Sequence, residues 1–509
     1  MTLFIGADLG TSGCKAALFD NAGQLVASAL HSYRTSYPRP SWHEQDLHDW
    51  WTAFAKSIRD LVEQVPERRH EIVGIGVSGQ SLAPIFLDEA GCALSATVPI
   101  WSDSRAGREC RTYFESQDET TWYERTGNGF PSDLYTIFKV MWARENQPDA
   151  FRRARTIVGS KDWINHRLTG NIRTDHSYAS GSGFYDLRVR TYADDLLQAA
   201  GLQSSLFPPI VDSSDIVGEL LPHVALDLGL EPGIAVVAGG VDNSCMALGA
   251  QNTAPGRIYA SLGSSSWLTI CDQRPILEPN LRPFVFAHVI PGLYNSAVST
   301  FSAGTSVAWV METLFPELGG DVDAFVDTAL GAPPGAEGAL FVPSIAGGTV
   351  FEGGPPVRGS YAGLSALHRR EHLARAVIEG IPLALRRPLD ELRRIAHVEN
   401  RIVVTGGGSR NGPWLQTYAN ILDCELVKTS VEQQAATLGA ATLVAVGLGH
   451  WPDYSRADEA HEITARYSPD VAVASTYSAR VLPRFAKAVA QASDLARLTA
   501  ELDRPRAQG

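Results

Sequence analysis

The sequence lacks the features that mark several classes of protein. No run approaches the roughly 18 consecutive apolar residues that span a bilayer. The opening residues, MTLFIGADLG, contain an acid and no basic segment, unlike a signal peptide. The 43 Lys and Arg residues are outnumbered by 56 Asp and Glu, which gives a net charge of −13 and argues against a basic face for nucleic acid. These absences predict a cytoplasmic protein without a nucleic-acid or membrane partner.

Cysteine is scarce and never occurs in a CxxC spacing, so neither a disulfide framework nor a zinc site is expected. Small buried thiols in a reducing cytosol are the simpler interpretation. The six cysteines are Cys14, Cys92, Cys110, Cys245, Cys271 and Cys424. The motifs HExxH, GxSxG and GxxxxGK[ST] are also missing, which argues against zincin, serine hydrolase and P-loop chemistry.

The N-terminal pattern indicates an α/β fold. The chain has 509 residues, of which 44% are hydrophobic and 19% charged, enough for two to four domains or one duplicated architecture. Apolar runs predict strands at 3–7, 15–19, 25–29 and 72–77. Apolar residues at helical spacing predict a helix over 46–65. Mixed strands and helices this early are typical of α/β architecture.

Farther along the chain, residues 105–230 are expected to form mostly helices with irregular connections. A buried strand is predicted at 234–238, and the small residues of 244–250 suit a helix packed closely on a sheet. A helix is expected from about residue 476, ending in a polar tail, 504–509, that frays.

The N-terminal pattern restarts in the second half of the chain. Residues 260–265, ASLGSS, resemble residues 7–12, ADLGTS. Residues 403–409, VVTGGGS, resemble residues 236–242, VVAGGVD. Because the two matches follow in the same order, they predict two related domains, with insertions in the first and a boundary near 250–256. The expected divisions are 1–252, 253–480, and a C-terminal helix and tail at 481–509.

The first motif that suits chemistry runs from Asp8 to Gly13, DLGTSG, with Lys15 just beyond it. A turn of Gly10, Thr11 and Ser12 between two strands directs N–H groups and hydroxyls toward one point, which suits phosphate oxygens. Asp8 adds a carboxylate that can hold Mg²⁺ through water. The alternative is a plain hairpin turn with a solvated acid. The related turn in the second half has Ser261 where the first has Asp8.

Two glycine-rich motifs follow predicted buried strands. In GGVDN, Asp242 is either an N-cap or a general base that takes a proton from a hydroxyl attacking phosphorus. In GGGSRN, residues 406–411, three glycines let a flat group such as a nucleoside approach the backbone. The alternative for the second motif is a tight turn at positive φ, which requires fewer glycines.

A fourth set combines polar and aromatic residues that suit a sugar. It contains the stretch from Ser78 to Ser81 and the stretch from Trp101 to Arg105. An indole face packs on sugar C–H groups, while amides and carboxylates bond hydroxyls. Ordinary core packing is the simpler interpretation of Trp101, and a surface ion pair is the alternative for Asp103 with Arg105.

Together these residues resemble the FGGY carbohydrate kinases, within the actin, hexokinase and Hsp70 ATPase superfamily. The resemblance covers about residues 3–485. Its most specific part is GSYAGL at 359–364 followed by HLARAVIE at 372–379, with a weaker signature, KVMW, at 139–142. Within the family, the stretches IGADLGTSGCK, WHEQD, IWSDSRA and GGVDNS are most similar to the xylulokinases.

The resemblance implies two ribonuclease-H-like domains with a catalytic cleft between them, closing on ATP–Mg²⁺ and an open-chain sugar. It implies Asp242 as the proton acceptor and Asp8, Thr11 and Ser12 at the phosphate–Mg²⁺ site, alongside Gly10 and Lys15 of the same motif. The nucleotide side would contain Gly263, Ser264, Gly407, Gly408 and Asn411. The sugar side would contain Gln80, Ser81, Leu82, Trp101, Asp103, Arg105 and Asn243.

Two departures concern the sugar. Xylulokinases typically carry Met-His where this chain has Ser81-Leu82, and their Gly-Glu-Arg-x-Pro stretch is absent, with residues 347–351 near its place. We therefore expect phosphorylation of a primary hydroxyl, with D-xylulose first and another ketose, polyol or sugar acid as the alternative. A non-metabolic ATPase module and a degenerate sugar-binding regulator are the rival functions. Dimers are common in such kinases, so a homodimer is an option.

Overall fold

The computed structural model describes residues 2–129 and 131–502, and it divides into two compact units. The first unit is built from the chain up to Pro255, from Cys271–Ser296 and from Gln434–Glu462. The second is built from Gly256–Ile270, Ala297–Gln433 and the chain from Ile463 onward. Each unit combines a mixed sheet with helices, which confirms the predicted α/β class. The predicted functional division at residue 252 stays a prediction, and the tail 504–509 lies outside the described residues.

The first unit contains a mixed seven-stranded sheet. Its central strand, Leu3–Leu9, runs antiparallel to Gly13–Asp20 and parallel to Ile72–Gly79. The strands lie in the order Ile216–Glu219, Ala235–Val237, Ile72–Gly79, Leu3–Leu9, Gly13–Asp20 and Leu25–Ser32, and Gly240–Val241 also pairs with Ile72–Gly79. The predicted N-terminal strands are therefore confirmed. The continuous apolar runs of Leu3–Leu9 and Ile72–Gly79 arise because both faces of these strands are covered, whereas Leu25–Ser32 has several exposed residues.

The predicted helix at 46–65 is observed as Leu47–Gln64, with Asp46 as its N-cap. Its apolar face, including Trp50, Phe54 and Ile58, packs into the core of the first unit. The prediction of mostly helical structure over 105–230 is also confirmed. The helices of this region are Gly107–Phe114, Glu119–Thr126, Thr136–Asn146, Pro148–Arg153, Ser160–Thr169, His176–Ala179, Asp194–Ala199 and Pro222–Leu228. The first unit also contains short strand pairs: Glu44–Asp46 with Thr97–Pro99, Ile85–Leu87 with Thr156–Val158, Thr174–Asp175 with Ile210–Val211, and Tyr185–Asp186 with Thr191–Tyr192.

The small-residue helix predicted at 244–250 is Asp242–Gly249, and its main partner differs from the prediction. It packs chiefly on the helix Ala435–Gly447 rather than on the sheet. A Cβ at Gly439 would lie 1.9 Å from the carbonyl oxygen of Cys245, so these two helices touch backbone to backbone. The small residues serve this helix–helix approach.

In the second unit, Ile258–Leu262 runs antiparallel to Ser266–Asp272 and parallel to Arg401–Thr405. The neighbouring strands on the far side are Glu425–Thr429 and then Ile463–Tyr467. Further strands of this unit are Leu340–Val342 and Ser360–Ala362, whereas Phe284–Ala287 and the first half of Tyr294–Thr300 belong to the segment Cys271–Ser296 of the first unit. The helices of this unit are Gly304–Leu314, Val322–Leu330, Arg370–Ile395, Gly412–Leu422, Val471–Thr476 and Leu482–Leu502. The helix expected from about residue 476 is thus confirmed over its described part.

The first sequence repeat corresponds to a structural repeat. Both Leu3–Leu9 and Ile258–Leu262 lead through a tight turn into an antiparallel partner, and both have a parallel strand on the other side. The second repeat does not pair equivalent strands. Arg401–Thr405 lies next to the first strand of its sheet, a place taken in the first unit by Ile72–Gly79, whereas Ala235–Val237 lies one strand farther out. Buried strands ending in glycine look alike in sequence, and only the pairing distinguishes them.

The cysteines are all free, in agreement with the predicted lack of disulfides. Five are buried, but Cys92 is exposed, contrary to the expectation of buried thiols. Within residues 2–129 and 131–502, no helix has the length and apolar character that crossing a membrane requires.

Candidate active site

Asp8 lies next to the carboxyl end of the strand Leu3–Leu9. It is directly opposite Lys15 on one neighbouring strand and Ser78 on the other. The Ser78 hydroxyl donates a hydrogen bond of 2.7 Å to Asp8 Oδ1. Burial raises the pKa of Asp8 above its ordinary value, although the Ser78 hydrogen bond and the Lys15 charge partly offset this rise. Asp8 is therefore a carboxylate whose charge the protein alone does not fully stabilise.

Side chains from other parts of the first unit bind the turn after Asp8, and the residues at its tip are exposed. The N–H of Gly10 donates to the carbonyl of Gly13 at 3.0 Å, which closes the turn. Gln45 donates from Nε2 to the Thr11 carbonyl at 2.7 Å, and the Tyr33 hydroxyl donates to the Gly10 carbonyl. Thr11 and Ser12 are exposed. The geometry is thus a hairpin turn with its hydroxyl residues left exposed, but Asp8 is not the solvated acid of the plain-turn alternative, because burial raises its pKa.

Asp242 comes directly after the strand Gly240–Val241, which pairs parallel with the same strand that flanks Asp8. Ser78 lies opposite Asp8 on one side and opposite Gly240 on the other. Asp8 and Asp242 therefore lie at the same edge of one sheet, on either side of one strand. The carboxyl ends of parallel strands are where open α/β sheets bind ligands.

The N-cap interpretation of Asp242 is wrong. The helix Asp242–Gly249 is capped by Val241, without a side-chain hydrogen bond, and Asp242 is its first helical residue. Asp242 Oδ1 accepts a hydrogen bond of 2.8 Å from the N–H of Asn243, whose own side chain is buried. Burial, with the nearby charge of Asp8 as a second cause, raises the pKa of Asp242 from 3.8 to about 7. A carboxylate with such a pKa can exchange a proton near neutral pH.

The stretch from Gln80 to Leu82 faces inward. Gln80 is fully buried, and its amide donates to Gln45 Oε1 at 2.8 Å. Leu82 is buried in an apolar cluster with Phe138, and its backbone φ of 66° lies in the left-handed region, a costly conformation for leucine. Ser81 is half-buried. Of these three predicted sugar residues, Ser81 is the one whose side chain is not buried.

Trp101 is not a core residue, because 39% of it is exposed. Its Nε1 donates to the Thr11 hydroxyl at 2.9 Å, so it lies beside the exposed turn. Asp103 and Arg105 form a buried ion pair of 2.7 Å, and Arg105 also pairs with Glu44 at 2.7 Å. The pair is internal rather than the surface pair that was the alternative. Its side chains hold the loop that carries Trp101.

Lys139 is a residue of this region to which the sequence reasoning assigned no role. Its side chain is buried, and Nζ donates to the carbonyls of Leu82 at 3.2 Å and Ile100 at 2.6 Å. Burial lowers the pKa of Lys139 to about 7. One ammonium group thus joins the two loops that carry the predicted sugar residues. The available sequence signal was a lysine inside the apolar run from Ile137 to Met141. Because burying a charge without partners is costly, such a lysine indicates specific buried contacts.

The second unit contains a cavity of about 1030 Å³. Its lining includes the five residues predicted for the nucleotide: Gly263, Ser264, Gly407, Gly408 and Asn411. Sequence reasoning missed the other walls, among them Met311, Trp414 and Tyr418, because apolar residues on distant helices give no local signal. A large cavity with mostly apolar walls and a few polar groups is typical of a site for an organic ligand.

The glycines at the mouth of this cavity have different reasons to be glycine. Gly406 has a φ of 87°, and a Cβ there would meet the carbonyl oxygen of Leu262 at 2.7 Å. A Cβ at Gly407 would meet nothing within 4 Å. The tight-turn explanation therefore accounts for Gly406 but not for Gly407. Asn411 caps the helix Gly412–Leu422, accepting from Trp414 N–H at 2.8 Å, and it also donates to Asp323.

Within each unit, the structure brings predicted residues together. In the first unit, Asp8, the turn 10–12 and Trp101 adjoin, and Asp242 lies at the same sheet edge as Asp8. In the second unit, the five predicted nucleotide residues share one cavity. Among the described residues, no group of three or more His, Cys, Asp or Glu side chains is arranged to hold a metal ion. A site built from Asp8 would therefore need ligands beyond the protein.

Comparisons with known proteins agree with the α/β fold class. The model of the N-terminal domain of the FGGY family of carbohydrate kinases matches residues 3–249, and the model of its C-terminal domain matches residues 258–448. The xylulose kinase of Bacillus subtilis (strain 168) is 30% identical over 455 residues, which are 88% of this chain and 89% of that protein.

Solved structures are similar over nearly the whole chain. A xylulose kinase from Rhodospirillum rubrum has a TM-score of 0.90 at 28% identity, covering 97% of this chain and 100% of its own. A gluconate kinase from Lactobacillus acidophilus has a TM-score of 0.90 at 25% identity, covering 97% of this chain and 98% of its own. The α/β fold and these similarities define a kinase.

The chain belongs to the FGGY family of carbohydrate kinases. It is accordingly an enzyme that acts on a small molecule, and membership of a kinase family implies ATP as the phosphoryl donor.

Proposed function

We propose that this enzyme transfers the terminal phosphoryl group of ATP to a primary hydroxyl of an open-chain ketose, with D-xylulose forming D-xylulose 5-phosphate. The proposal rests on family membership and on the name of the 30%-identical relative. The single structural observation that carries it is Asp242, a half-buried carboxylate at the sheet edge shared with Asp8.

Asp242 is proposed as the general base. Its pKa of about 7 means that a useful fraction is ionised at neutral pH and can accept the proton of the attacking hydroxyl. The ordinary pKa of an aspartate would make it a much weaker proton acceptor. General bases contribute typically about 10²–10⁴-fold to rate.

Asp8, Lys15 and the turn 10–12 are proposed to hold the phosphates. The residues fit a divalent cation, because Asp8 is partly buried, its pKa is raised, and Asp242 is a second nearby acid. Mg²⁺ usually takes one or two carboxylates plus phosphate oxygens and water, which matches this sparse set. When bound, Mg²⁺ would supply positive charge that offsets the phosphate charge. Asp8 would hold it, and Thr11 and Ser12 would donate hydroxyl hydrogen bonds to phosphate oxygens.

The cavity of the second unit is proposed to take the nucleoside of ATP. Gly407 leaves open space for a flat group to lie on the backbone, while Met311 and Tyr418 offer apolar contact. Gly263 and Ser264, which line the same cavity, are proposed to contact the phosphates of the bound ATP. Asn411 is proposed to act as the cap that fixes the loop, because its side chain is already bonded to Trp414 and Asp323.

On the sugar side, we propose that the exposed indole of Trp101 packs on sugar C–H groups, beside Ser81 and Asn243. Gln80, Leu82, Asp103 and Arg105 are proposed to shape the pocket from behind, because their side chains are buried.

The test is a panel of acceptors assayed for ADP release with ATP and Mg²⁺. It contains D-xylulose, D-ribulose, glycerol, xylitol and gluconate, and a reaction without acceptor. We expect the highest kcat/KM for D-xylulose and slow turnover without acceptor. Turnover that no acceptor stimulates would indicate an ATPase module instead. Binding of a sugar without turnover would indicate a regulator.

A sugar acid is the second candidate. The gluconate kinase structure aligns as well as the xylulose kinase structure, with a TM-score of 0.90 in each case. Ser81-Leu82 replaces the pair typical of xylulokinases, and Leu82 offers no donor. A kcat/KM for gluconate above that for D-xylulose would select this candidate. A cytoplasmic location and a homodimer stay predictions, and sedimentation measures the latter.

A further inference from the structure

The turn that leads into Asp242 is fixed by side chains that the proposed chemistry does not use. The carbonyl of Ala238 accepts hydrogen bonds from Lys161 Nζ at 3.1 Å and from Asn165 Nδ2 at 2.9 Å. The N–H of Val241 donates to the Ser177 hydroxyl at 3.0 Å. The Ala238 carbonyl and the Val241 N–H, one at each end of the turn, are therefore both hydrogen-bonded to side chains. This fixes the main chain just before the proposed base.

A buried ion cluster lies behind this turn. Lys161 Nζ contacts Asp162 at 2.5 Å and Asp175 at 2.9 Å, and all three side chains are buried. With the Ala238 carbonyl, the three N–H groups of the ammonium have three acceptors. Burial alone would lower the pKa of Lys161, but Asp162 and Asp175 raise it above its ordinary value, so the lysine stays charged.

Ser177 connects this cluster to the turn. Its hydroxyl donates to Asp175 Oδ2, and its oxygen accepts from the N–H of Val241. Asp175 Oδ2 also accepts from the Ser213 hydroxyl at 2.8 Å. A hydroxyl that donates to a carboxylate becomes a better acceptor, because hydrogen bonds in a chain polarise one another.

A purely local role does not explain this arrangement. Asp175 caps the one-turn helix His176–Ala179, and a cap needs only its hydrogen bonds to the main-chain N–H groups of Ser177 and Tyr178. The cap does not require Lys161, Ser213 or the bond from Ser177 to Val241. These extra contacts all lead toward the turn before Asp242.

We propose that Ser177, oriented by Asp175 and Lys161, is a positioning residue that sets the location of the Asp242 carboxylate through the main chain of Val241. This inference rests on the proposed role of Asp242 as the base. It assigns to the buried cluster a task in turnover in addition to stability.

The experiment compares Ser177→Ala with Ser57→Ala in the full-length enzyme. Ser57 is also buried, and its hydroxyl donates a hydrogen bond of 3.0 Å to the carbonyl of Cys14 rather than binding the turn before Asp242. We expect Ser177→Ala to lower kcat about 10- to 100-fold, while KM for the sugar and Kd for ATP change less than about twofold. Ser57→Ala should keep kcat within about twofold at a similar Tm. If Ser177→Ala does not fold, Ser177→Cys replaces it, because sulfur is a poor acceptor.

A double-mutant cycle with Asp242→Asn separates positioning from a general structural effect. If Ser177 acts through Asp242, removing it from the Asp242→Asn variant should change the residual rate less than about twofold. Equal losses in both backgrounds would overturn the inference, as would an unchanged kcat in the single variant. A wild-type enzyme without acceptor-stimulated turnover would instead refute the proposed function, so the two failures are distinguishable.

Discussion

The two strand–turn–strand segments of this enzyme share an antiparallel strand pairing but have different surroundings. In the first unit, the turn 10–12 follows Asp8 and is held by the side chains of Gln45 and Tyr33. In the second unit, the turn 263–265 follows Leu262, and its carbonyls accept hydrogen bonds from the start of the helix Gly304–Leu314. Ser264 accepts from the N–H groups of Ala303 and Thr305 at 2.9 and 3.1 Å.

This difference indicates how a repeated element takes on two tasks. The first turn follows a carboxylate whose pKa burial raises. The second turn has Ser261 in place of that acid and borders a large cavity. The first segment is thus suited to bind a charged group, and the second to border the cavity of an organic ligand. The following predictions test that division, from the largest expected effect to the smallest.

Replacing the base should abolish chemistry in the first unit and leave nucleotide binding in the second. We expect Asp242→Asn to lower kcat about 10²–10⁴-fold, because the acceptor of the hydroxyl proton is lost. The Kd for ATP, measured by calorimetry, should stay within about threefold. A variant that keeps its full kcat would remove Asp242 from this role.

Giving the first segment the serine of the second in place of Asp8 should weaken its proposed binding of Mg²⁺. Asp8→Ser matches Ser261 of the second segment, and we expect kcat to fall about 10²-fold with a higher Mg²⁺ concentration needed for half-maximal rate. The matched variant, Ser261→Asp, should not restore activity to Asp8→Ser. Titration of rate against Mg²⁺ measures both. An unchanged Mg²⁺ dependence in Asp8→Ser would show that the two turns do not differ in this way.

The pH dependence should report the raised pKa of Asp242. We expect kcat/KM to fall about tenfold per pH unit below about 7, because the base must be ionised to accept a proton. Asp8 is one cause of the raised pKa, so the descent in Asp8→Ser should move to lower pH. A pH–rate profile of both enzymes measures this. Identical profiles would mean that Asp8 does not act on Asp242.

The same pKa predicts a stability effect. The folded pKa of about 7 lies above the ordinary 3.8, so the folded state holds this proton more tightly than the unfolded chain. The stability associated with Asp242 is therefore present below about pH 4 and is lost as pH rises toward 7. Asp242→Asn should raise Tm relative to wild type at pH 8 and leave it nearly equal at pH 4. A Tm difference that is the same at both pH values would contradict the shift.

The smallest expected effect comes from filling space at the mouth of the cavity in the second unit. Gly407→Ala should raise KM for ATP several-fold with little change in Tm, because a Cβ there meets only open space that the nucleoside would occupy. Gly406→Ala should instead lower stability by about 1 kcal/mol or more, because its φ is positive and its Cβ meets Leu262. Thermal melts and ATP saturation curves separate the pair. A Gly407→Ala enzyme with unchanged KM would place the nucleoside elsewhere.

Much of the fold could be predicted because its signals are local. Apolar runs located the strands Leu3–Leu9 and Ile72–Gly79, and helical spacing located Leu47–Gln64. The equivalence of residues 236–242 with 403–409 failed, because strands of similar composition differ in which neighbour they pair with. The sequence also did not reveal that Ala435–Gly447 packs in the first unit, since its approach to the strand Leu3–Leu9, between Thr437 and Gly6, joins residues more than 400 positions apart.

In the candidate site, too, local sequence patterns indicated some residues, and only the fold revealed the others. Asp8 and Asp242 were identifiable because an acid after a buried strand, next to glycine, is a local pattern. The side chains behind them were not, since Ser177 and Lys161 contact that turn only through the fold. The burial of Asp103 and Arg105 was likewise invisible, because an ion pair two residues apart looks the same in sequence on a surface or in a core.

By itself, the sequence determined the α/β class, the two related turns and the acids available for chemistry. These follow from residue type and short spacing, which set local conformation before any distant contact forms. Only the tertiary structure decided which strands are neighbours, which carboxylates lose their solvent and which glycines face open space. Each of those depends on contacts between residues far apart in the chain. The free energy of such burial and pairing does not depend on neighbouring residues, so no short sequence pattern reports it.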